Sequence, residues 1–288
     1  MKELSVIFTT YNSTEWLRKV LWGFSCQSFK SFKIIVADDG STSETAALLD
    51  EMRAETGLEI EHVWHRDDGF RKCRILNKAI LHSESDYLVF TDGDCIPRQD
   101  FLRVHADNAE RGRYVSGSYY RLPMETSEAI QKDDVESGRC FEVDWLRAHG
   151  LPRSQKTLKL TATARQARFL NRFTFTNCIF RGSNASAWRD DIIRVNGFDE
   201  RMQYGGLDRE IGVRLVNAGV RPKHARYNAA CLHLDHPRGY KDAEMVATNR
   251  ALRLHNQKNG VSKTQHGIQQ LQTAPQSHES DRSKTDQT

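Results

Sequence analysis

The chain has 288 residues, 38% of them hydrophobic, and a formal net charge of +4. That length accommodates one large domain or two small ones, with enough apolar side chains for a core. The mild charge gives no sign of a nucleic-acid binder, and no apolar run approaches the roughly 18 residues of a membrane span.

Met1-Lys2-Glu3 runs straight into an apolar segment without a secretory signal. The six cysteines (Cys26, Cys73, Cys95, Cys140, Cys178 and Cys231) include no Cys-x-x-Cys, so a reducing, cytoplasmic setting is expected. "LSVIFTT" (4–10) reads as a strand buried in a parallel sheet. "STEWLRKVLWGFSCQ" follows with helical apolar spacing and Ser13 as an N-cap. "FKIIVADDGS" (32–41) is a second strand ending in carboxylates. "SETAALLDEMRAETG" is a second helix, capped by Ser43 and stopped by Gly57. "LEIEHVWH" is a third strand, "KCRILNKAILHS" a third helix and "DYLVFTD" a fourth strand. This alternation predicts an α/β fold, Rossmann-like, with a mainly parallel sheet flanked by helices in a single domain.

Residues 117–176 are irregular, and from Arg147 to Arg172 there are seven Lys or Arg and no Asp or Glu. With Phe169, Leu170 and Phe173 interleaved, the segment 147–172 is a candidate for peripheral contact with an anionic membrane face or a phosphorylated glycolipid. A solvated charged face accounts for it equally well. Beyond about 262 the chain is polar and low in apolar residues, which predicts a disordered tail. The expected organisation is an α/β half over 1–115, a second half over 116–261 carrying the basic insert, and the tail over 262–288.

In open α/β sheets ligands collect beyond the carboxyl ends of the strands. Thr9-Thr10-Tyr11-Asn12, Asp38-Asp39 and Asp92-Gly93-Asp94 all fall there. On a strand, residues two apart point to one side, so Asp92 and Asp94 can face one ligand, with Gly93 admitting it close to the backbone. Paired carboxylates are hard oxygen donors suited to Mg²⁺ or Mn²⁺ that also binds phosphates. A solvated Asp-Gly turn would read the same way.

"SVIFTTYN", "IIVADDGS", "DDGFRKCRILNKAI" and "VFTDGDC" together resemble the signatures of family 2 glycosyltransferases of the GT-A fold. "GFDERMQYGGLDRE" is similar to the acceptor-side segment of galactosyltransferase-type C-terminal regions, although Leu207 stands where those enzymes carry Glu. The resemblance covers roughly 4–100 and 176–240. It implies transfer of a sugar from a nucleotide diphosphate, usually UDP, to a hydroxyl of a surface polysaccharide or lipid-linked glycan on the cytoplasmic side. It also implies a divalent ion, Mn²⁺ or Mg²⁺, held by Asp94 with Asp92 as candidate second ligand. Arg71 and Arg74 would add charge on the phosphates. Thr9 and Tyr11 would line the uridine pocket, and Asp39 or Asp38 would accept from the uracil imide, since strand alternation lets only one of them point inward. A late histidine, His233 or His236, would complete the metal site, with His233 favoured and the two rings on opposite sides of an extended segment. Gly182, Asn184 and Trp188 would flank donor sugar or acceptor.

Asp208 is the candidate general base for a single-displacement, inverting transfer, with Glu210 in reserve. As a helix N-cap, Asp208 would need no catalytic role, and a helix N-terminus would make it a weaker base. Other classes share some of these features: a sugar-phosphate nucleotidyltransferase, a haloacid-dehalogenase-type phosphatase, whose Asp-x-Asp belongs near the first strand and not the fourth, and a non-catalytic sugar-nucleotide-binding module. The nucleotidyltransferase should carry a Gly-rich, Arg/Lys-containing loop after strand one, where this chain has "TTYNSTEW".

Overall fold

The computed structural model describes residues 3–237 and 242–273. The four apolar runs at the start become β1 (Leu4–Thr10), β2 (Phe32–Asp38), β3 (Ile60–Trp64) and β4 (Tyr87–Asp92). Further strands are β5 (Cys95–Pro97), β6 (Arg113–Ser116), β7 (Ser118–Arg121), β8 (Ala185–Trp188), β9 (Arg221–His224) and β10 (Ala230–His233). The main sheet runs β3-β2-β1-β4-β8-β6-β9, and a smaller one runs β5-β10-β7.

β1 sits centrally because both of its faces are apolar. Leu4, Val6 and Phe8 pack with Leu17, Val20 and Phe24 of the helix Thr14–Ser25. Ile7 points the other way, into Cys73, Leu76 and Ile80 of the helix Lys72–His82. Each such side chain contributes about 1.5–3 kcal/mol by leaving water. Ser13 occupies the cap position of the first helix, but its hydroxyl makes no capping bond. In the second helix Thr42, not Ser43, precedes the first turn, and Gly57 ends it in the left-handed conformation with φ 67°.

The parallel registers bring the polar strand ends level. Thr10 pairs with Asp38, Asp38 with Trp64, and Thr9 with Asp92. Strand order reverses between β1 and β4, so a crevice opens there at the carboxyl rim. The small sheet adds the other wall. β10 runs antiparallel to β5, with His233 opposite Cys95.

The boundary expected at 115/116 falls inside β6, and β8 inserts between β4 and β6, so one sheet spans both halves. The basic segment contains a helix, Ala164–Phe173, opened by a Thr163–Gln166 capping box. Phe169 and Phe173 on it are exposed, at 63% and 56%. The expected tail needs correction over 262–273. Thr264 is buried and donates to Asp199 Oδ2 at 2.6 Å, the Asn196 side chain binds the Thr264 carbonyl and the Gln269 amide, and Ile268 enters the core as the first residue of a last helix, Ile268–Thr273. One isoleucine and a few hydrogen bonds anchor a segment too polar to read as packed. The rest of that expected tail, 274–288, lies outside the described residues. Among the described residues, no helix is long and apolar enough to cross a membrane.

Candidate active site

A cleft of about 930 Å³ opens at the carboxyl ends of β1 and β4. Thr9, Tyr11, Asp39, Asp92, Asp94, Asp208, His233 and His236 all line it. Asp38, Arg71, Arg74 and Glu210 do not.

β4 ends at Asp92, and Gly93-Asp94 turn into β5, so the two carboxylates do not share the one-sided arrangement of a continuing strand. They part instead. Asp92 Oδ1 accepts from Lys72 Nζ at 2.7 Å, with the Thr9 hydroxyl at 3.5 Å. Asp94 Oδ2 faces His236 Nε2 at 3.1 Å and His233 Nε2 at 3.8 Å. Burial pushes Asp94 up, but the hydrogen bond from His236 and then the two imidazoles outweigh it and hold the carboxyl at about 2.

Both imidazoles reach Asp94, where opposite orientations were expected, because β10 stops at His233 and the chain leaves extended geometry before His236. The rings stack at 5.7 Å with 11° between planes. His233 Nδ1 lies 2.7 Å from the Leu234 carbonyl and His236 Nδ1 2.9 Å from that of Pro237. A carbonyl only accepts, so each Nδ1 carries the hydrogen and each Nε2 is turned toward Asp94. Once the Nε2 hydrogens that face Asp94 are released, one carboxylate oxygen and two imidazole lone pairs remain on that side, a donor set that fits a divalent cation such as Mn²⁺. Cys95 Sγ sits close by, 3.3 Å from Asp94 Oδ1. Burial, with Cys231 and Asp94 adding to it, drives that thiol well above its usual range, so it stays protonated and is no ligand for a hard cation. Among the described residues, the donor atoms lying within 4.8 Å of one another are those of Asp94, Cys95 and His233, with His236 reaching Asp94 from the side and Asp92 apart from them.

Asp208 lies in the first turn of the helix Leu207–Asn217, whose cap position is taken by Gly206 at φ 83°. It is therefore not the cap. Its Oδ1 is buried without a hydrogen-bond partner. The carboxylate rests on Gly182, where any Cβ would come within 2.5 Å of Oδ1, so only glycine fits. Burial raises the Asp208 pKa; the Lys72 ammonium opposes this, Asp92 adds to it, and the net shift is upward. Burial acts against the helix N-terminus, which alone would make the carboxylate a weaker base. Lys72 stands among Asp92, Asp208 and Asp94. Burial works against its charge, but those carboxylates more than offset it and hold the ammonium ionised.

Of the Asp38–Asp39 pair, alternation turns one inward. Asp39 reaches the cleft, bound to His65 Nε2 at 2.8 Å and to the Arg71 amide at 3.0 Å. Asp38 is fully buried, accepting from the Ser41 amide at 2.8 Å and facing His62 Nε2 at 2.9 Å. It organises the turn. Tyr11 is half exposed at the rim, its hydroxyl donating to Asp67 Oδ2 at 2.9 Å. The Asp67 loop crosses directly over Gly40 (φ 99°), where a Cβ would lie 2.5 Å from the Asp67 backbone.

Arg71 and Arg74 are exposed, and Arg71 is tied to Asp68. They sit three apart on one face of the helix start, and Lys72 is rotated about 100° from Arg71 and about 200° from Arg74, into the cleft. Glu210 lies two residues past Asp208, roughly 200° round its helix. Fully buried, it binds Arg214 through two 2.7 Å bonds and accepts from Asn256 at 2.7 Å. That corrects its role as reserve base. Removing one partner of a buried pair costs about 3–5 kcal/mol, so Glu210→Ala should lower unfolding stability by that order in denaturant titrations. The folded fraction should keep its turnover, and lost turnover at unchanged stability would refute the structural role. Asn184 and Trp188 are likewise structural. Asn184 bridges the carbonyls of Ser118 and Ala229, 2.9 Å from each, and Trp188 packs on Tyr87 beneath Arg111.

Residue types alone did not single out Lys72, Arg181, Arg209 or the helix Ala243–Lys258, which brings Arg250 and Arg253 to the cleft. The adjacency of Lys72 to "DDGFR" was the one available signal.

A family model described as glycosyl transferase family 2 matches residues 5–180, more than half of the chain. An uncharacterized glycosyltransferase of Bacillus subtilis, YfnE, is 25% identical over 85% of this chain and 68% of its own length. Chondroitin synthase of Escherichia coli is 27% identical over 75% of the chain, which spans only 32% of that protein. Among solved structures, the Staphylococcus aureus protein TarS (residues 1–349) in complex with UDP-GlcNAc superposes with a TM-score of 0.60 at 15% identity, over 90% of this chain and 69% of that one. The mannosyltransferase PcManGT of Pyrobaculum calidifontis, in complex with GDP-Man and Mn²⁺, gives 0.58 at 19% identity, over 92% and 65%. These matches set aside the nucleotidyltransferase and binding-module alternatives, and the chain belongs to glycosyl transferase family 2, a glycosyltransferase built on the GT-A fold.

Proposed function

We propose that the enzyme transfers a hexose, with inversion, from a UDP-sugar to a hydroxyl of a surface polysaccharide or lipid-linked glycan. The observation that carries this is the meeting, in one cleft, of the Asp94–His233–His236 cluster and a buried carboxylate with an unsatisfied oxygen, Asp208. Galactose is the sugar suggested by the likeness of Gly205-Gly206-Leu207-Asp208 to galactosyltransferase-type segments. Relatives whose structures hold UDP-GlcNAc or GDP-Man support a nucleotide-sugar donor.

In this reading Tyr11 offers its ring face to uracil and Asp39 accepts from the imide. Asp94, His233 and His236 would hold Mn²⁺ or Mg²⁺, which when bound supplies Lewis-acid neutralisation of the diphosphate's charge. Lys72 adds a fixed positive charge beside them. The acceptor oxygen bonds to the anomeric carbon as its proton passes to Asp208. The bond from that carbon to the diphosphate oxygen breaks, and its electron pair leaves with the diphosphate. Opposite-face attack inverts the centre.

Titrating UDP, GDP, CMP and dTDP with and without Mn²⁺ while following melting temperature tests the donor site. Saturating UDP with Mn²⁺, at about 100 times Kd, should add ~2.7 kcal/mol of stability. The other nucleotides should add far less. A chain indifferent to UDP under both conditions would refute the donor assignment.

A further inference from the structure

Positive charge on the Asp208 side of the cleft is left over by the donor reading. Arg181 and Arg209 line the cleft. Each is the chain neighbour of a residue at the base: Arg181 of Gly182, on which the Asp208 carboxylate rests, and Arg209 of Asp208 itself. Lys159 Nζ donates to the Tyr119 carbonyl at 3.3 Å, and the Tyr119 ring packs 5.2 Å from that of His233. Arg226 stands close enough for its charge to act on both Lys159 and Arg181, and its Nε is buried with no hydrogen-bond partner.

Two neighbouring cations are neutralised: Arg98 pairs with Asp100 and Arg121 with Asp235. Among the described residues, none of Lys159, Arg181, Arg209 and Arg226 has a carboxylate partner. Their mutual repulsion is felt. Burial, then Arg226, Arg181 and Lys156, push Lys159 down to about 8, and burial together with Arg226 and Arg209 lowers Arg181. Lys159, Arg181 and Arg226 are half-buried and Arg209 is exposed; like charges gathered without paired carboxylates are costly for the free protein and favourable once an anion enters. The donor's diphosphate has its own counter-charges, at Lys72 and the metal cluster.

We propose that Arg181, Arg209, Arg226 and Lys159 form an acceptor subsite for an anionic group, either a phosphate ester or a sugar carboxylate. This rests on the glycosyltransferase reading, which makes the Asp208 side the acceptor side. It narrows the acceptor to an acidic glycan or a polyol-phosphate chain.

The test uses the full chain without donor, titrated with glycerol 3-phosphate, methyl β-D-glucuronide and methyl β-D-glucoside by ligand-observed NMR. At least one anionic probe should bind about tenfold more tightly than the neutral glucoside, the gain of one charge-assisted hydrogen bond. Whichever anion binds better names the source. Lys159→Gln and Arg226→Gln should each weaken that binding by a similar factor and leave UDP–Mn²⁺ affinity within about twofold. Circular dichroism checks folding, and Lys159→Gln carries the test if Arg226→Gln does not fold. Equal binding of all three probes, or none, overturns the proposal. So does a matching loss of UDP affinity, which would assign the cations to the donor. Salt-sensitive binding to phosphatidylglycerol vesicles that these variants abolish, with the soluble anions unbound, would make the patch a membrane contact and also overturn it. Because no donor is present, failure of the nucleotide titration and failure of this one are separate results.

Discussion

Asp208→Asn should lower the rate of sugar transfer by about 10²–10⁴, the span of a lost general base, with UDP–Mn²⁺ affinity within about threefold of the parent. The asparagine is isosteric and fills the same space over Gly182, so packing is retained while the proton acceptor is gone. The pH profile supplies an independent reading. Burial raises the Asp208 pKa above the ordinary carboxylate value, and the base works only when ionised. Turnover should therefore rise as pH climbs through that raised pKa and fall away below it. The limb should lie higher than a solvated aspartate would give, and Asp208→Asn should flatten it in the residual activity. Asp92→Asn shifts the same limb for another reason. It removes a negative neighbour that favours protonated Asp208, so the limb should move to lower pH. If Asp208→Asn lost nucleotide affinity and turnover in equal measure, the residue would be structural and the base would have to be sought elsewhere.

Local sequence made the sheet legible and left long-range contacts hidden. β1 to β4 could be placed because each is a short apolar run closed by polar residues, and the parallel registers followed from their alternation with helices. Asp208 stood out through the two glycines before it. Other features depended on how distant segments meet. His233 lies beside Asp94 because β10 pairs with β5, a pairing no local pattern announces. His236 joins it only because the strand ends first. Lys72 differs from the neighbouring Arg71 and Arg74 only in position, since one residue's rotation at a helix start separates cleft from solvent. Glu210 carried the right chemistry on the wrong side of its helix, and nothing in "GGLDRE" encodes the distant Arg214–Asn256 partnership that buries it. Thr264 and Ile268 show the same limit at the other end of the chain, where composition described the segment and missed its anchors.

The two carboxylates flanking Gly93 should differ sharply in what their loss does. Asp94→Ala should remove Mn²⁺ binding, followed directly by electron paramagnetic resonance of the added ion, and should lower transfer by at least about 10², the order seen when a positioned charge for the departing group is lost. The hydrogen bond from His236 and the nearby His233 hold Asp94 at about 2, so it is ionised throughout the working range and acid loss of activity should not track it. Without that carboxylate two imidazoles remain, a neutral donor pair that binds Mn²⁺ poorly. Asp92→Asn leaves the cluster untouched, because Asp92 is bound to Lys72 at 2.7 Å. It should keep most of the Mn²⁺ signal while reducing turnover, since Lys72 then loses its 2.7 Å ion-pair partner and its charge is left to act on Asp208 and Asp94. The division of labour follows from where β4 stops. A strand two residues longer would have set both aspartates on one side. Because the chain bends at Gly93, one carboxylate is left to the cation and the other to the lysine that orders the base. Equal loss of Mn²⁺ binding in the two variants would show that Asp92 swings to the ion when it arrives, and that the Lys72 pair belongs only to the resting enzyme.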